Sequence, residues 1–307
     1  MIKKYWIIAC IGWCAIGTAL AQDNLNTLKI NNNKNLKEFF RYTPDRIPLI
    51  CGHRGGAQSL YPENSIAGLE YVFSKMTAFF EVDPRLTKDS VVVVLHDATL
   101  DRTTNGTGKL SDYTWEEIQK LRLKDKKGNL TEYRIRTLDE VMRWARGKTI
   151  LMLDKKDVPL QMLYNIIKRN NAENGVLISA YQPEEAAFYY SKNKNLMFEV
   201  FVKDAKRLQA FEATGVPTKN MVAYFGQPKK QAFYDLIHSK GIMVMIYTGK
   251  ILEKEKDKAI RIQSYKNVVK QGGDILLSDR ALEAYESIIE FMPVKSSKDK
   301  FFNKKAQ

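Results

Sequence analysis

Cysteine and histidine are scarce, with three of each in 307 residues. Cys10 and Cys14 both fall in an N-terminal apolar stretch, so removing that stretch leaves Cys51 alone. A single thiol cannot close an internal disulfide, and with only three imidazoles beside it a Cys/His zinc site is excluded. Cys51 is therefore expected to be a buried core residue at a strand end. Nine prolines and 17 glycines are too few for a collagen-like chain. No long apolar run follows residues 5–20, which excludes a polytopic membrane protein. At 44% apolar and 27% charged residues, disorder is excluded too. The length suits two small domains or one α/β barrel with extras.

Lys3 and Lys4 precede the apolar run, and Ala19-Leu20-Ala21 closes it before Gln22-Asp23. A basic start, an apolar middle and an A-x-A end read as a signal peptide, residues 1–21. An uncleaved anchor is the alternative, but the run is short and broken by Gly12 and Gly17. The expectation is export to the periplasm or medium of a bacterium, with no stable membrane span after cleavage; lipid anchoring at Cys10 is a minor variant. Cleavage removes two lysines and lowers the net charge from +14 to +12. Such a charge attracts anions. It is spread along the chain, however, and no helix-turn-helix, basic zipper or aromatic RNA motif accompanies it, so no nucleic-acid partner is expected. The densest basic piece, Lys295, Lys298, Lys300, Lys304 and Lys305, reads as a solvated, mobile end.

Short β-branched runs at 47–52, 78–83, 91–96, 149–154, 175–180, 196–201, 221–225, 242–247 and 274–279 alternate with amphipathic stretches. Thr114 to Glu117 and Thr137 to Glu140 are capping-box helix starts. This alternation argues for a parallel sheet with helices outside. The gap between 83 and 91 is too short for a parallel crossover, so those two strands must form an antiparallel hairpin turning at residues 87–90. Eight parallel strands remain, and the expected fold class is α/β, a (β/α)8 TIM barrel. It spans residues 46–290, carries a short hairpin and a small insertion after its second strand, follows a lead-in at 22–45 and precedes a basic tail at 291–307.

The hairpin sets His96 opposite Val82, level with Glu81 and Asp83. Those two carboxylates, spaced i, i+2, share one face of their strand. At the carboxyl end of a barrel strand that face is the mouth. His53 and Arg54 end the first strand, and Asp154 and Lys156 end the next barrel strand after the hairpin, again on one face. Adjacent carboxylates repel unless a cation lies between them, and an all-oxygen set suits Mg2+ or Ca2+. With Arg54 and Lys156, such an ion makes a pocket for a phosphodiester, flanked by two imidazoles able to move protons.

Several segments now stand together: His53-Arg54-Gly55, Tyr61-Pro62-Glu63-Asn64-Ser65, Glu81-Val82-Asp83 followed by Leu86-Thr87-Lys88-Asp89, and His96-Asp97 followed by Leu100-Asp101-Arg102-Thr103-Thr104-Asn105-Gly106-Thr107-Gly108. From about 47 to 279 the chain resembles the glycerophosphodiester phosphodiesterase family of phospholipase-C-like barrels. The resemblance implies metal-dependent hydrolysis of glycerophosphodiesters to glycerol 3-phosphate and an alcohol. It implies Glu81, Asp83 and Asp154 as metal ligands, His53 and His96 as the acid–base pair, and Arg54 and Lys156 as phosphate binders. Glu63 and Asn64 are implied to orient the first loop or touch the metal site, and residues 98–133 to shape the mouth over the substrate. The sequence departs from the family where Asp154 stands in place of the usual Glu, and where Tyr247-Thr248-Gly249 stands in place of a tryptophan and asparagine.

Blander readings exist for several residues. Glu63 can simply cap the helix after it, Asp154 and Lys156 can pair with each other, and residues 101–106 can be only an ordered turn. His238, in an amphipathic run, is expected at the surface. Tyr181, Glu199, Tyr224 and Tyr247 lie at strand ends within reach of a substrate, and the closing strand through Asp279 reads as structural. Gly106-Thr107-Gly108-Lys109 lacks the glycine and hydroxyl of a phosphate loop. Besides the leading reading, a lysophospholipase D-like lipid phosphodiesterase and a non-catalytic phosphodiester-binding protein stay open. A carbohydrate-cleaving barrel would leave both histidines and Arg54 without a role.

Overall fold

The computed structural model describes residues 26–57, 60–249 and 252–303. The expected signal peptide lies outside the described residues. Ten strands follow in chain order: β1 Leu49–Gly52, β2 Phe79–Val82, β3 Pro84–Leu86, β4 Val92–Val94 and β5 Leu151–Leu153. The remaining five are β6 Val176–Ala180, β7 Met197–Phe201, β8 Met221–Tyr224, β9 Val244–Tyr247 and β10 Ile275–Ser278. Eight of them close a parallel barrel in the order β1-β10-β9-β8-β7-β6-β5-β2, with helices between successive strands. This is the expected (β/α)8 fold. Among the described residues no helix is long and apolar enough to cross a membrane.

The antiparallel ribbon differs in one respect from expectation. β4 pairs with β3, not with the barrel strand β2. Both edges of β2 are taken, by β1 and β5, so a third partner has no backbone groups to bond. The chain must leave the barrel at Asp83-Pro84 before it can double back. The expected register survives, because Pro84 faces Val94 and the Leu95 amide donates to the Asp83 carbonyl at 2.9 Å. One step further on, His96 falls opposite Val82.

Alternation along each strand sorts the side chains. Ile50, Phe80, Val82, Leu151, Leu153 and Leu276 pack outward against the helices. Leu49, Cys51, Phe79, Met152, Leu177, Met245 and Leu277 fill the barrel interior. Cys51 is a buried free thiol, as expected. The Thr137–Glu140 box opens helix Leu138–Ala145, whose buried Leu138, Val141, Met142 and Ala145 repeat at helical spacing. The Thr114 box opens only a single turn, Trp115–Ile118, whose Ile118 joins a small separate core with Leu100, Leu110 and Leu123 of the insertion and Val93, Leu95 and Ile135 beside it.

The barrel floor is plugged by Leu36, Phe39 and Phe40 from the lead-in and by Phe301 from the C-terminal segment. The expected solvated tail is thus corrected over residues 296–302. Ser296 donates to the Asp45 carbonyl at 2.6 Å, and the Lys298 ammonium bonds the carbonyls of Glu38 and, at 2.7 Å, Arg41. His238 is likewise not at the surface. Its Nε2 lies 2.9 Å from Asp274 Oδ2, and its ring stacks on Tyr42 at 3.7 Å.

Candidate active site

The inward parity that fills the barrel continues to its mouth. Two residues beyond Phe79 comes Glu81 and two further comes Asp83, both buried; two beyond Met152 comes Asp154. Oxygens of these three carboxylates lie within 4.8 Å of one another. After β1 the chain turns sharply through Arg54, Gly55 and Gly56, with φ of 51°, 98° and 70°. Arg54 is the unusual member there, since a side chain in the left-handed region costs about 1 kcal/mol. The turn aims the Arg54 amide at Glu81 Oε2, 2.7 Å away. A Cβ on Gly56 would fall 2.6 Å from that of Ala281, so only glycine fits beneath the turn.

Around the acidic cluster stand its partners. Asn64 Nδ2 donates to Asp83 Oδ2 at 2.7 Å, and Lys156 Nζ lies 3.0 Å from Asp83 Oδ1 and bridges to Asp154. The Tyr181 hydroxyl donates to Asp154 at 2.7 Å. Arg54 Nη1 pairs with Glu63 at 3.1 Å, and its Nε lies 3.8 Å from Asp83. Burial pushes the Glu81 carboxyl well above its ordinary value, and the charges of Asp83 and Asp154 push the same way. On Asp83 burial acts in that sense too, but Lys156, His96, Asn64 and Arg54 outweigh it and hold the carboxyl low.

Each mouth imidazole is held by a carboxylate through Nδ1. His53 Nδ1 lies 2.5 Å from Asp279 Oδ1, and its Nε2 faces Glu81 Oε2 at 3.9 Å. His96 Nδ1 lies 2.7 Å from Asp97 Oδ1. Burial draws the His96 pKa below its usual value against the opposing pull of Asp83 and Asp97. Asp97 is in turn gripped by Arg102 at 2.6 and 2.9 Å, and the same guanidinium forks onto Glu63 at 2.8 and 2.9 Å. A chain of ionic bonds thus runs from His96 through the insertion to Glu63 and Arg54. Such carboxylate partners fix ring orientation and raise basicity.

Glu199 points inward from β7, and its Oε2 accepts no hydrogen bond. Burial raises its carboxyl to about 8, with the Ser179 hydroxyl opposing and Asp154 reinforcing the rise. Tyr247 tilts against His53 with ring centroids 4.8 Å apart. Tyr181, Phe201 and Tyr224 form an aromatic wall, at centroid spacings of 4.0 and 4.6 Å. Every residue read from the sequence as a site residue therefore lines or borders one mouth. Three were missed there. Asp279 was read as structural and Arg102 as part of a turn, and Asp97 was given no role of its own. The signal for Asp279 was parity, since it follows inward-facing Ile275 and Leu277 at steps of two.

The donor set suits a hard divalent cation. All three ligand groups offer oxygen, two are buried, and Asp83 Oδ1 accepts no hydrogen bond of good geometry. Three carboxylates this close cannot all ionise without compensating positive charge. Fold and site together define a (β/α)8 barrel with an acidic mouth, cations beside it and two oriented imidazoles. Residues 53–280 match the Glycerophosphoryl diester phosphodiesterase family. The chain belongs to that family.

Two curated relatives match over part of their length. A glycerophosphodiester phosphodiesterase of Caldanaerobacter subterraneus is 38% identical over 141 residues, 43% of this chain and 58% of its own. A putative one from Bacillus subtilis is 40% identical over 114 residues, 37% of this chain and 46% of its own. The chain thus spans about half the length of these two relatives. A solved glycerophosphoryl diester phosphodiesterase from Parabacteroides distasonis is 49% identical, with a TM-score of 0.89 over 91% of this chain and 99% of that one. An Oleispira antarctica phosphodiesterase, solved with the product sn-glycerol-3-phosphate, shares the fold at 19% identity and a TM-score of 0.62, over 79% of this chain and 97% of that one.

Proposed function

We propose that this protein hydrolyses glycerophosphodiesters to glycerol 3-phosphate and an alcohol, with Glu81, Asp83 and Asp154 holding Mg2+ or Ca2+. The observation that carries the reading is the pairing of two Nδ1-anchored imidazoles with one carboxylate cluster and two cations, Arg54 and Lys156. A divalent ion there would supply positive charge to the phosphoryl oxygens as negative charge develops on them. It would also release Arg54 and Lys156 from neutralising Asp83 and free them to grip the phosphate.

With Nδ1–H given to Asp279, His53 is the tautomer whose Nε2 can take a proton. In our reading it takes that of the glycerol 2-hydroxyl, whose oxygen attacks phosphorus. The bond from phosphorus to the alcohol oxygen breaks, and protonated His96 gives its proton to that oxygen. Water then opens the cyclic phosphate with the two roles exchanged. Each such proton transfer contributes about 10²–10⁴ in rate. The aromatic wall of Tyr181, Phe201 and Tyr224 favours a second reading, in which the glycerol still bears an acyl chain and the substrate is a lysophospholipid. Comparing glycerophosphocholine with its acylated counterpart, with and without chelator, tests both. Turnover that resists chelation sinks the metal assignment, and a faster acylated substrate selects the lipid reading. Export, expected from residues 1–21, would place this activity outside the cytoplasm.

A further inference from the structure

An open cavity lies between the mouth and the insertion. It measures about 530 Å³ and lies between Arg54, Glu63 and Asp279 on one side and the 124–128 turn on the other. Its acids are already committed. Glu63 is spent on Arg54 and Arg102, and Asp279 on His53. Asp125 is spent on its own turn, accepting from the amides of Lys127 at 2.9 Å and Asn129 at 2.8 Å. Lys126 and Lys127 are different. They line the cavity, are exposed, and enter no ion pair within 4.0 Å among the described residues, although the charge of Lys126 reaches Asp279 and helps to hold that carboxyl low. The turn beneath them is pinned by Asp125, by Gly128 at φ 86° and by the bridge between Lys124 and Leu130, so the two ammonium groups stand on a fixed support.

The cavity is continuous with the mouth through Arg54, which lines it while its Nε faces Asp83. Among the described residues its lining holds no aromatic side chain, so they offer no cage for a quaternary ammonium. Among the described residues a cationic headgroup entering it would meet two lysines and no uncommitted carboxylate. A group with a second negative charge would meet the reverse.

We propose that this cavity is a subsite for a second anionic group on the alcohol part of the substrate, so that the protein prefers glycerophosphodiesters whose alcohol itself bears a phosphate over those bearing choline. This rests on the phosphodiester reading above and names the substrate class within it. Bis(glycerophospho)glycerol, a chain of glycerol phosphate units, is the simplest ligand of the preferred class.

The test is calorimetric binding to the full chain carrying His53→Ala and His96→Ala with Mg2+ present, so that Arg54 and Lys156 are free to grip the phosphate while turnover is suppressed. Bis(glycerophospho)glycerol is expected to bind about tenfold more tightly than glycerophosphocholine, two exposed cations each contributing modestly. Lys126→Ala with Lys127→Ala should shrink that preference about fivefold, and Lys126→Glu with Lys127→Glu should reverse it. As a control for net charge, Lys168→Glu with Lys192→Glu on the outer helices should leave the preference intact. Lys127→Gln alone, which should halve the preference, replaces the double variants if their thermal midpoints fall. Tighter binding of glycerophosphocholine overturns the subsite, as does a preference unmoved by charge reversal or moved equally by the control. Assaying glycerol 3-phosphate release by the protein with both histidines intact, in Mg2+ or Ca2+, then reads the hydrolytic proposal separately. Ligand selectivity without product keeps the subsite and removes the reaction.

Discussion

An aspartate flanks strand β10 at each end of the barrel, each bonded to a histidine, and the two pairs differ in what the imidazole faces. At the floor, Asp274 is fully buried and saturated. Its carboxylate takes Arg46, His238 at 2.9 Å and the Val244 amide at 2.7 Å. His238 spends Nε2 on this bond and lies flat on Tyr42. At the mouth, Asp279 holds His53 by Nδ1 and leaves Nε2 turned toward Glu81. A His–Asp pair by itself therefore does not distinguish the mouth from the floor. What separates the two is whether the second ring nitrogen faces a cluster of charge at the open, carboxyl end of the strands, where barrels of this kind keep their chemistry.

The largest expected effect tests that distinction directly. His53→Ala and His96→Ala should each lower kcat by about 10²–10⁴ while leaving the thermal midpoint nearly unchanged. His238→Ala should do the opposite, lowering the midpoint and sparing kcat. Equal kcat losses at all three positions would break the comparison.

The aspartates give the next step. Asp274→Ala leaves Arg46 and a buried backbone amide without their partner, and should cost about 3–5 kcal/mol in urea unfolding. The kcat of the remaining folded protein should stay within a factor of two of the parent. Asp279→Asn should lower kcat about 10–100-fold, because the amide no longer fixes the imidazole tautomer, with less than about 1 kcal/mol lost in stability. A folded Asp274→Ala protein with crippled turnover would merge the two ends into one functional unit.

These residues also show how far the sequence could be read. The eight barrel strands were legible because period-two burial leaves continuous apolar runs between amphipathic helices, and Glu81, Asp83 and His96 followed from strand parity and a short turn. The same parity extended to β10 yields Asp279, but a carboxylate after an apolar strand has no distinguishing spacing of its own. Its meaning depends on β1 and β10 being neighbours, as in Gly52 facing Ser278, a pairing that only barrel closure creates. His238 was misplaced for a like reason. Its helix looks amphipathic, but Tyr42 of the lead-in covers the ring. Lys298 looked solvated because nothing local reveals that the carbonyls of Glu38 and Arg41 wait for its ammonium. Long-range contact, more than local preference, hid each of these.

The smallest effect separates the two ends by pH. Asp274 is ion-paired with Arg46, whereas Glu199 at the mouth is an acid whose burial lifts it to about 8. In the unfolded chain the same carboxyl titrates near its ordinary value of 4.5. Between those values the folded state binds more protons than the unfolded one, so stability must fall as pH rises through that window. Metal-free protein should accordingly lose stability between about pH 5 and pH 8, and Glu199→Gln should recover on the order of 2 kcal/mol at the upper end. Glu81, raised in the same direction, keeps part of the slope in that variant. Adding Mg2+ or Ca2+ should raise the midpoint most at high pH, where the cluster is most negative, and Glu81→Gln should weaken that rise. Urea titrations at pH 5, 6.5 and 8 decide it. A Glu199→Gln protein whose pH slope matches the parent's would mean the mouth carboxylate is already compensated, and the contrast between the ends would then rest on the histidines alone.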